Sequence, residues 1–174
     1  GICSFPAIRA ACNAVIETIQ LGIPIARLEM LDPLHVRACN AYSKLNLPET
    51  PLLLVEFHGT SDSVEDDAAR FTDICDDHSP SPFHWSDNPD ERKKLWKARH
   101  DALWAAYALI PGATGFATDV CVPISKLADC IEDTISDIEA AGLTAPIVGH
   151  VGDGNFHVLP LAMPDDIDMH QKIS

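Results

Sequence analysis

The sequence predicts an α+β fold, a ferredoxin-like antiparallel sheet with helices packed on one face. Apolar residues recur at helical spacing in several segments, and short apolar runs separate these segments. The last two apolar runs are joined directly by a turn, which makes them antiparallel, because parallel neighbours need a long crossover. With 174 residues, of which 47% are hydrophobic, the composition is typical of one globular domain.

Helices and strands alternate in the first half of the chain. Asp32 precedes Pro33, and this pair predicts a helix start, since aspartate caps helices and proline suits their first turn. The predicted elements are a helix capped by Ser4 that ends near Leu21, a strand over 23–31, a helix from Asp32 to about Leu45, a strand over 52–58 and an acidic amphipathic helix from Thr60.

The second half continues the alternation up to its last strand pair. Gly142 predicts a helix stop, because glycine is favoured just after the last helical turn. The predicted elements are a short strand over 83–86, a helix from Asp87 to about Leu109, a strand over 115–120, a helix from about Ser125 to Ala141, a hairpin over 147–161 and a last helix that begins near Pro164.

The negative net charge of the chain makes two classes of partner unfavourable, nucleic acids and anionic membranes. A formal net charge of -14 at pH 7 repels nucleic acid phosphates and anionic lipid, so we expect neither as a partner. No apolar run approaches the roughly 20 residues of a transmembrane helix, and no transmembrane segment is predicted. The six cysteines form no CxxC pair, which favours reduced thiols.

The strongest local pattern is the hairpin GHVGDGNFH over 149–157. A two-residue type I′ turn on Asp153 and Gly154 predicts that His150 lies directly opposite His157. Their Cβ atoms would then be about 4.5–5.5 Å apart, which allows both rings to bind one divalent ion. An ordinary cross-strand pair explains the spacing equally, and no carboxylate is singled out as a third ligand.

Arg99 is the second candidate, because it falls on an apolar stripe of its predicted helix together with Leu95 and Leu103. A guanidinium stays charged when it is buried and binds carboxylates with two hydrogen bonds, so Arg99 is suited to anchoring a small organic acid. The alternative is an arginine paired with an acidic residue of this protein.

Several segments in the same order resemble one known family. The hairpin 149–157 resembles the metal-binding motif of the FAD-linked oxidase C-terminal domain family. Five further segments are similar to the mitochondrial D-lactate dehydrogenase branch of that family: ARLEMLD (26–32), ACNAYSKLNL (38–47), LVEFHG (54–59), LWKARHDALWAA (95–106) and ATDVCVPISKL (117–127).

The resemblance implies roles for the candidate residues. It makes residues 1–174 the substrate- and metal-binding C-terminal domain, incomplete at its C-terminal end and without the FAD-binding domain. It implies that His150 and His157 bind a divalent metal, zinc or manganese, that Arg99 holds the substrate carboxylate, and that Leu103 lines the substrate site. The third metal ligand and the catalytic base are expected beyond residue 174, so this fragment alone is expected to be inactive.

The resemblance also implies an activity. A D-2-hydroxy acid is oxidised by FAD, with D-lactate converted to pyruvate in mitochondria and electrons passed to an acceptor such as cytochrome c. Phe116, Ala117 and Thr118 occupy the strand where a lysine would hold a second carboxylate, which favours a monocarboxylate. The alternatives are a D-2-hydroxyglutarate or glycolate dehydrogenase, or a non-redox metal-binding or assembly module.

Overall fold

A computed structural model describes residues 1–79 and 81–173; position 174, the last of the predicted domain, lies outside the described residues. The helices and strands are β1 (Ile2–Ser4), α1 (Ile8–Gln20), β2 (Arg27–Leu31), α2 (Pro33–Ser43), β3 (Leu52–Glu56), α3 (Ser61–His78), α4 (Pro89–His100), α5 (Ala102–Ala108), β4 (Thr114–Gly115), β5 (Val120–Cys121), α6 (Leu127–Ala141), β6 (Ile147–Gly149), β7 (Asn155–Val158), β8 (Leu161–Ala162) and α7 (Ile167–Ile173).

The predicted α+β class with an antiparallel sheet is confirmed. Six strands form one sheet in the order β1-β3-β2-β6-β7-β5, and every pair in it is antiparallel. The longest helices, α1, α3 and α6, bury their apolar sides in one large core on one face of this sheet. A smaller core on the other face holds residues of α2 and α5, so the structure adds a second, partial helical layer.

Strand β2 lies inside the sheet, between β3 and β6, and is buried on both faces. Leu28 and Met30 belong to the large core, and Leu31 belongs to the smaller one. Because alternate residues of a strand share a face, Glu29 points to the same side as Leu31. The strand therefore carries a buried carboxylate, 3% exposed, to the face covered by α2, α4 and α5.

Some predicted boundaries differ from the structure. The helix α1 begins at Ile8 and Ser4 does not cap it, because Ser4 pairs with Leu52 as the end of the short edge strand β1. The predicted strand over 83–86 is a single bridge between Ile2 and His84. The predicted helix from Asp87 to Leu109 divides at Asp101, where the backbone leaves helical geometry.

The predicted strand over 115–120 is also divided. Its beginning pairs with β8 as β4, whereas its end pairs with β7 as β5. The segment that the sequence predicts as one strand is therefore divided, because its two ends pair with different strands, β8 and β7. Between them, Thr118 donates its backbone N–H to Val158 at 2.9 Å and accepts from the Val158 N–H through its hydroxyl at 3.0 Å.

The start of α2 combines two buried groups with opposite pH dependence. Asp32 accepts a hydrogen bond from the His35 backbone N–H at 2.8 Å, which confirms the predicted cap. Burial raises the pKa of Asp32 from 3.8 to about 6 and lowers the pKa of His35 from 6.5 to about 4. Because of Asp32, the unfolding free energy of the protein falls as pH rises from about 4 to 6. Because of His35, it falls as pH decreases over nearly the same range.

Asp32→Asn is expected to expose the contribution of His35. Asparagine still caps the helix, so the variant should lose about 2 kcal/mol more unfolding free energy than the wild type between pH 7 and pH 4. Urea unfolding at both pH values measures this difference. Asp62→Asn, at an exposed position in α3, is the control. Parallel pH dependence in wild type and Asp32→Asn would contradict the opposed titrations.

Candidate functional site

The hairpin between β6 and β7 exists, but its turn is longer than predicted. The ladder pairs Val148 with His157, so His157 does not face His150. A single turn of 3-10 helix, Val151–Asp153, and Gly154 at φ 73° form the connection. The Asn155 N–H closes it by donating to the His150 carbonyl at 3.2 Å. The predicted two-residue turn and direct His150–His157 pairing are therefore wrong.

The two histidines nevertheless lie on one face of the hairpin. His150 is opposite Asn155, and His157 is two residues further along β7, so the shift of register keeps both side chains on the same side. Their ring centroids are 6.3 Å apart with the rings nearly perpendicular. Val151 and Phe156 point the other way and are fully buried in the large core, as predicted.

Glu29 connects the two candidate features of the sequence. Its Oε2 accepts a hydrogen bond from Nε of Arg99 at 3.0 Å and forms an ion-pair contact with Nη2 at 2.9 Å. Its Oε1 contacts Nδ1 of His150. The Glu29 side chain is 5% exposed and that of Arg99 is 16% exposed, so this ion pair is largely shielded from water. Glu29 is not among the residues that the sequence patterns single out.

The contacts of the two histidines determine which ring nitrogen stays available. Nδ1 of His157 is hydrogen-bonded to the Thr118 carbonyl at 2.8 Å and carries the proton, because a carbonyl only accepts. Nδ1 of His150 forms an ion-pair contact with the Glu29 carboxylate, which also only accepts. Within residues 1–79 and 81–173, neither Nε2 atom has a hydrogen-bond partner. This arrangement, with Nδ1 bound and Nε2 open, is the usual one for histidines that bind metals.

The described residues contain two candidate metal ligands, His150 and His157, and no third. No group of three or more His, Cys, Asp or Glu side chains that could hold a metal ion is present in the described ranges. Asp119 lies 3.6 Å from Nδ1 of His157, the nitrogen already turned toward Thr118, and its side chain is 79% exposed. Glu29 is occupied by Arg99 and His150. A complete ligand set therefore needs a donor from elsewhere.

Arg99 is paired with an acid of this protein and still has an open edge. Both contacts to Glu29 use the Nε and Nη2 atoms, and Nη1 has no partner among the described residues. A guanidinium has five N–H donors, so its Nη1 and Nη2 edge remains suited to a carboxylate. Leu103, in the next helix α5, is 42% exposed.

The helix α4 that carries Arg99 is held against β2 at two points. Asn88 caps its first turn by accepting from the Asp90 N–H at 2.9 Å. The Arg27 guanidinium lies 5.1 Å from the centre of the Trp96 ring, which adds a cation–π contact between the strand and the helix. The Arg27–Trp96 contact and the pair of Arg99 and Glu29 are the two points that hold α4 against β2.

Two cavities lie near this face. The smaller, of about 150 Å³, is lined by Glu29, His150 and Asp153 among others. The larger, of about 930 Å³, opens between β3, the loop after α2 and the beginning of α4. Neither of these two cavities is lined by Arg99 or Leu103.

Gly149→Ala is expected to displace the hairpin and lower the unfolding free energy. An added Cβ would overlap the Asn155 carbonyl and the Phe156 backbone, which cannot move away as a flexible side chain would. We expect a cost of about 3 kcal/mol or more, measured by chemical denaturation. Gly142→Ala is the control, since φ is 66° there but the space is open. Equal costs for both variants would contradict the close approach at Gly149.

Comparison with known proteins places this chain in a family. The family described as FAD linked oxidases, C-terminal domain, matches residues 1–174. The chain belongs to this family. Within residues 1–79 and 81–173, no helix combines the length and the apolar character that crossing a bilayer requires.

Among the curated relatives, the probable mitochondrial D-lactate dehydrogenase of Danio rerio is 45% identical over 173 residues, which are 99% of this chain and 35% of that protein. The mitochondrial D-lactate dehydrogenase [cytochrome] of Arabidopsis thaliana is 36% identical over 172 residues, 99% of this chain and 30% of that protein. The chain thus spans about a third of the length of these relatives.

The fold recurs in solved structures of low sequence identity. The chain is similar to the 4-ethylphenol oxidase from Gulosibacter chungangensis with a TM-score of 0.69 and 15% identity, covering 99% of this chain and 40% of that one. This likeness supports the shared fold.

Proposed function

We propose that residues 1–174 are the C-terminal, substrate-binding domain of a longer FAD-dependent enzyme that oxidises D-lactate to pyruvate. Family membership and the D-lactate dehydrogenases among the relatives support a flavin-linked oxidoreductase. The assignment to this site rests on the cluster of Arg99, Glu29, His150 and His157. The cluster contains a guanidinium that can bind a substrate carboxylate and two histidines whose Nε2 atoms have no partner among the described residues.

Arg99 is the group that binds the substrate carboxylate. Its Nε and Nη2 are held by Glu29, so the guanidinium plane is fixed before the substrate arrives. The remaining edge can then donate hydrogen bonds to a carboxylate without a further loss of side-chain freedom. Because Arg99 is 16% exposed, the resulting ion pair is partly shielded from water and therefore stronger than one at the surface.

His150 and His157 would hold a divalent metal, zinc or manganese, through their Nε2 atoms. The donor set fits, because both Nδ1 atoms are already oriented by acceptors and two imidazoles on one face can share an ion. A carboxylate from outside the described residues would complete the set. The metal would lower the pKa of the substrate 2-hydroxyl, and FAD would accept the hydride.

The substrate is a short monocarboxylate in this proposal. The segment 116–119 carries Phe116, Ala117, Thr118 and Asp119, and none of these offers a cation to a second carboxylate. The Thr118 carbonyl is instead used to orient His157. Leu103, partly exposed on α5, would contribute an apolar wall for the methyl group.

The remaining parts of the proposal concern the complete enzyme. The catalytic base and the third metal ligand would come from outside residues 1–174, as would most of the FAD contacts, and this chain alone would be inactive. A mitochondrial location is supported by the names of the relatives. The acceptor would be a cytochrome such as cytochrome c, a class of acceptor that the name of the Arabidopsis thaliana relative includes.

D-lactate-dependent reduction of a dye by the full-length protein tests this function. D-lactate, L-lactate, glycolate and D-2-hydroxyglutarate are compared at equal concentrations, and bleaching of the flavin is followed anaerobically. Fastest turnover with D-lactate supports the proposal. A preference for glycolate or D-2-hydroxyglutarate would show that one of these is the substrate instead. If no D-2-hydroxy acid bleaches the flavin, the remaining function is that of a non-redox metal-binding or assembly module.

A further inference from the structure

We infer that Glu29 is a positioning residue that orients both the metal-binding His150 and the carboxylate-binding Arg99. This inference rests on the proposed function and adds a residue to it. Glu29 itself would touch neither metal nor substrate, because both of its oxygens are already engaged by protein groups.

The position of Glu29 suits this role. It lies in β2, where Leu54 and Gly149 are its nearest partners on the neighbouring strands: Leu54 is directly opposite, and Gly149 is opposite the adjacent Met30. Strand β2 is hydrogen-bonded on both sides, so the carboxylate sits on rigid backbone. A site built on such an element is held more accurately than one on a loop.

The two oxygens of Glu29 act on different partners. Oε2 takes the Nε and Nη2 edge of Arg99, and this leaves the opposite edge directed away from the carboxylate. Oε1 contacts Nδ1 of His150. Because a carboxylate only accepts, this contact favours the proton on Nδ1 and leaves Nε2 as the lone-pair nitrogen. One buried carboxylate therefore sets the orientation of the guanidinium and the tautomer of the imidazole.

The burial of Glu29 makes a donor on each of its two oxygens necessary. Its side chain is 5% exposed, and an unpaired carboxylate at such a depth is strongly unfavourable. Glutamine has one accepting oxygen and one NH2 group, so it cannot accept from Arg99 and His150 together. One of the two donors would then face the NH2 group of the amide and turn away.

Glu29→Gln in the full-length enzyme tests the inference. We expect the affinity for zinc or manganese, measured by competition with a chelator, to fall about 10- to 100-fold, and KM for D-lactate to rise. Arg99→Met should raise KM while the metal affinity stays near that of the wild type, because His150 keeps its contact with Oε1. The matched control is Glu56→Gln on β3, since Glu56 also contacts an arginine and a histidine, Arg27 and His58, outside the site.

Two further variants separate the possible failures. If Glu29→Gln does not fold, Glu29→Gln combined with Arg99→Met removes both charges of the buried pair and should show the same weakened metal binding. Unchanged metal affinity and KM in Glu29→Gln, with metal binding lost in His157→Ala, would overturn the inference and leave the proposed function intact. Metal binding that does not depend on His157 would overturn the proposed metal site, and the inference with it.

Discussion

The full-length protein carrying His150→Ala or His157→Ala is expected to lose its bound zinc or manganese. Two of the metal ligands lie on this hairpin in our proposal, and one imidazole cannot hold the ion with the same affinity. Loss of an ion that polarises the substrate oxygen removes several kcal/mol of transition-state stabilisation. We therefore expect dye reduction with D-lactate to slow on the order of 10²- to 10³-fold, with metal content measured on dialysed protein.

A histidine outside the site provides the control for these variants. His58 is 66% exposed and contacts Glu56 at 2.9 Å on another part of the sheet, so His58→Ala should keep both metal and activity. Chelator treatment of the wild type should reproduce the defect of the hairpin variants. Full metal content and full activity in both variants would reduce His150 and His157 to neighbouring residues of an ordinary hairpin.

Sequence could predict that the two histidines share a face, although the predicted register was wrong. Side chains alternate along a strand with a period of two. A turn lengthened by two residues therefore moved His150 from the position opposite His157 to the position opposite Asn155 without changing its face. The turn type depended on Val151 entering the core, a tertiary contact that the Asp153-Gly154 pair does not reveal.

Glu29 could not be assigned a role from sequence because its partners are distant in the chain. Arg99 is 70 residues away, and His150 lies on a different strand. The only available signal was one carboxylate within the apolar run of β2, where burial demands a partner. The apolar stripe around Arg99 did predict a shielded guanidinium, and the alternative of an internal acidic partner is what the structure shows.

Arg99→Met in the full-length enzyme is expected to lower kcat/KM for D-lactate on the order of 10²-fold, mainly through KM. A partly buried arginine that pairs with a carboxylate contributes about 2–5 kcal/mol to binding, and methionine replaces its length without its charge. Steady-state kinetics with D-lactate measure the effect. Arg99→Lys should recover only part of it, because an ammonium cannot contact Glu29 and the substrate with two fixed edges.

Stability and binding must be separated in this variant, because Arg99 also neutralises Glu29. Removing the cation leaves a carboxylate that is 5% exposed, with His150 as its remaining partner, which costs about 3–5 kcal/mol of unfolding free energy. Arg9→Met is the control for loss of a charge, since Arg9 pairs with Asp129 and Glu132 at an exposed site where such pairs contribute little. Adding Glu29→Gln to Arg99→Met should restore much of the stability but not KM. Recovery of KM together with stability would mean that Arg99 serves the fold, and that another group binds the substrate carboxylate.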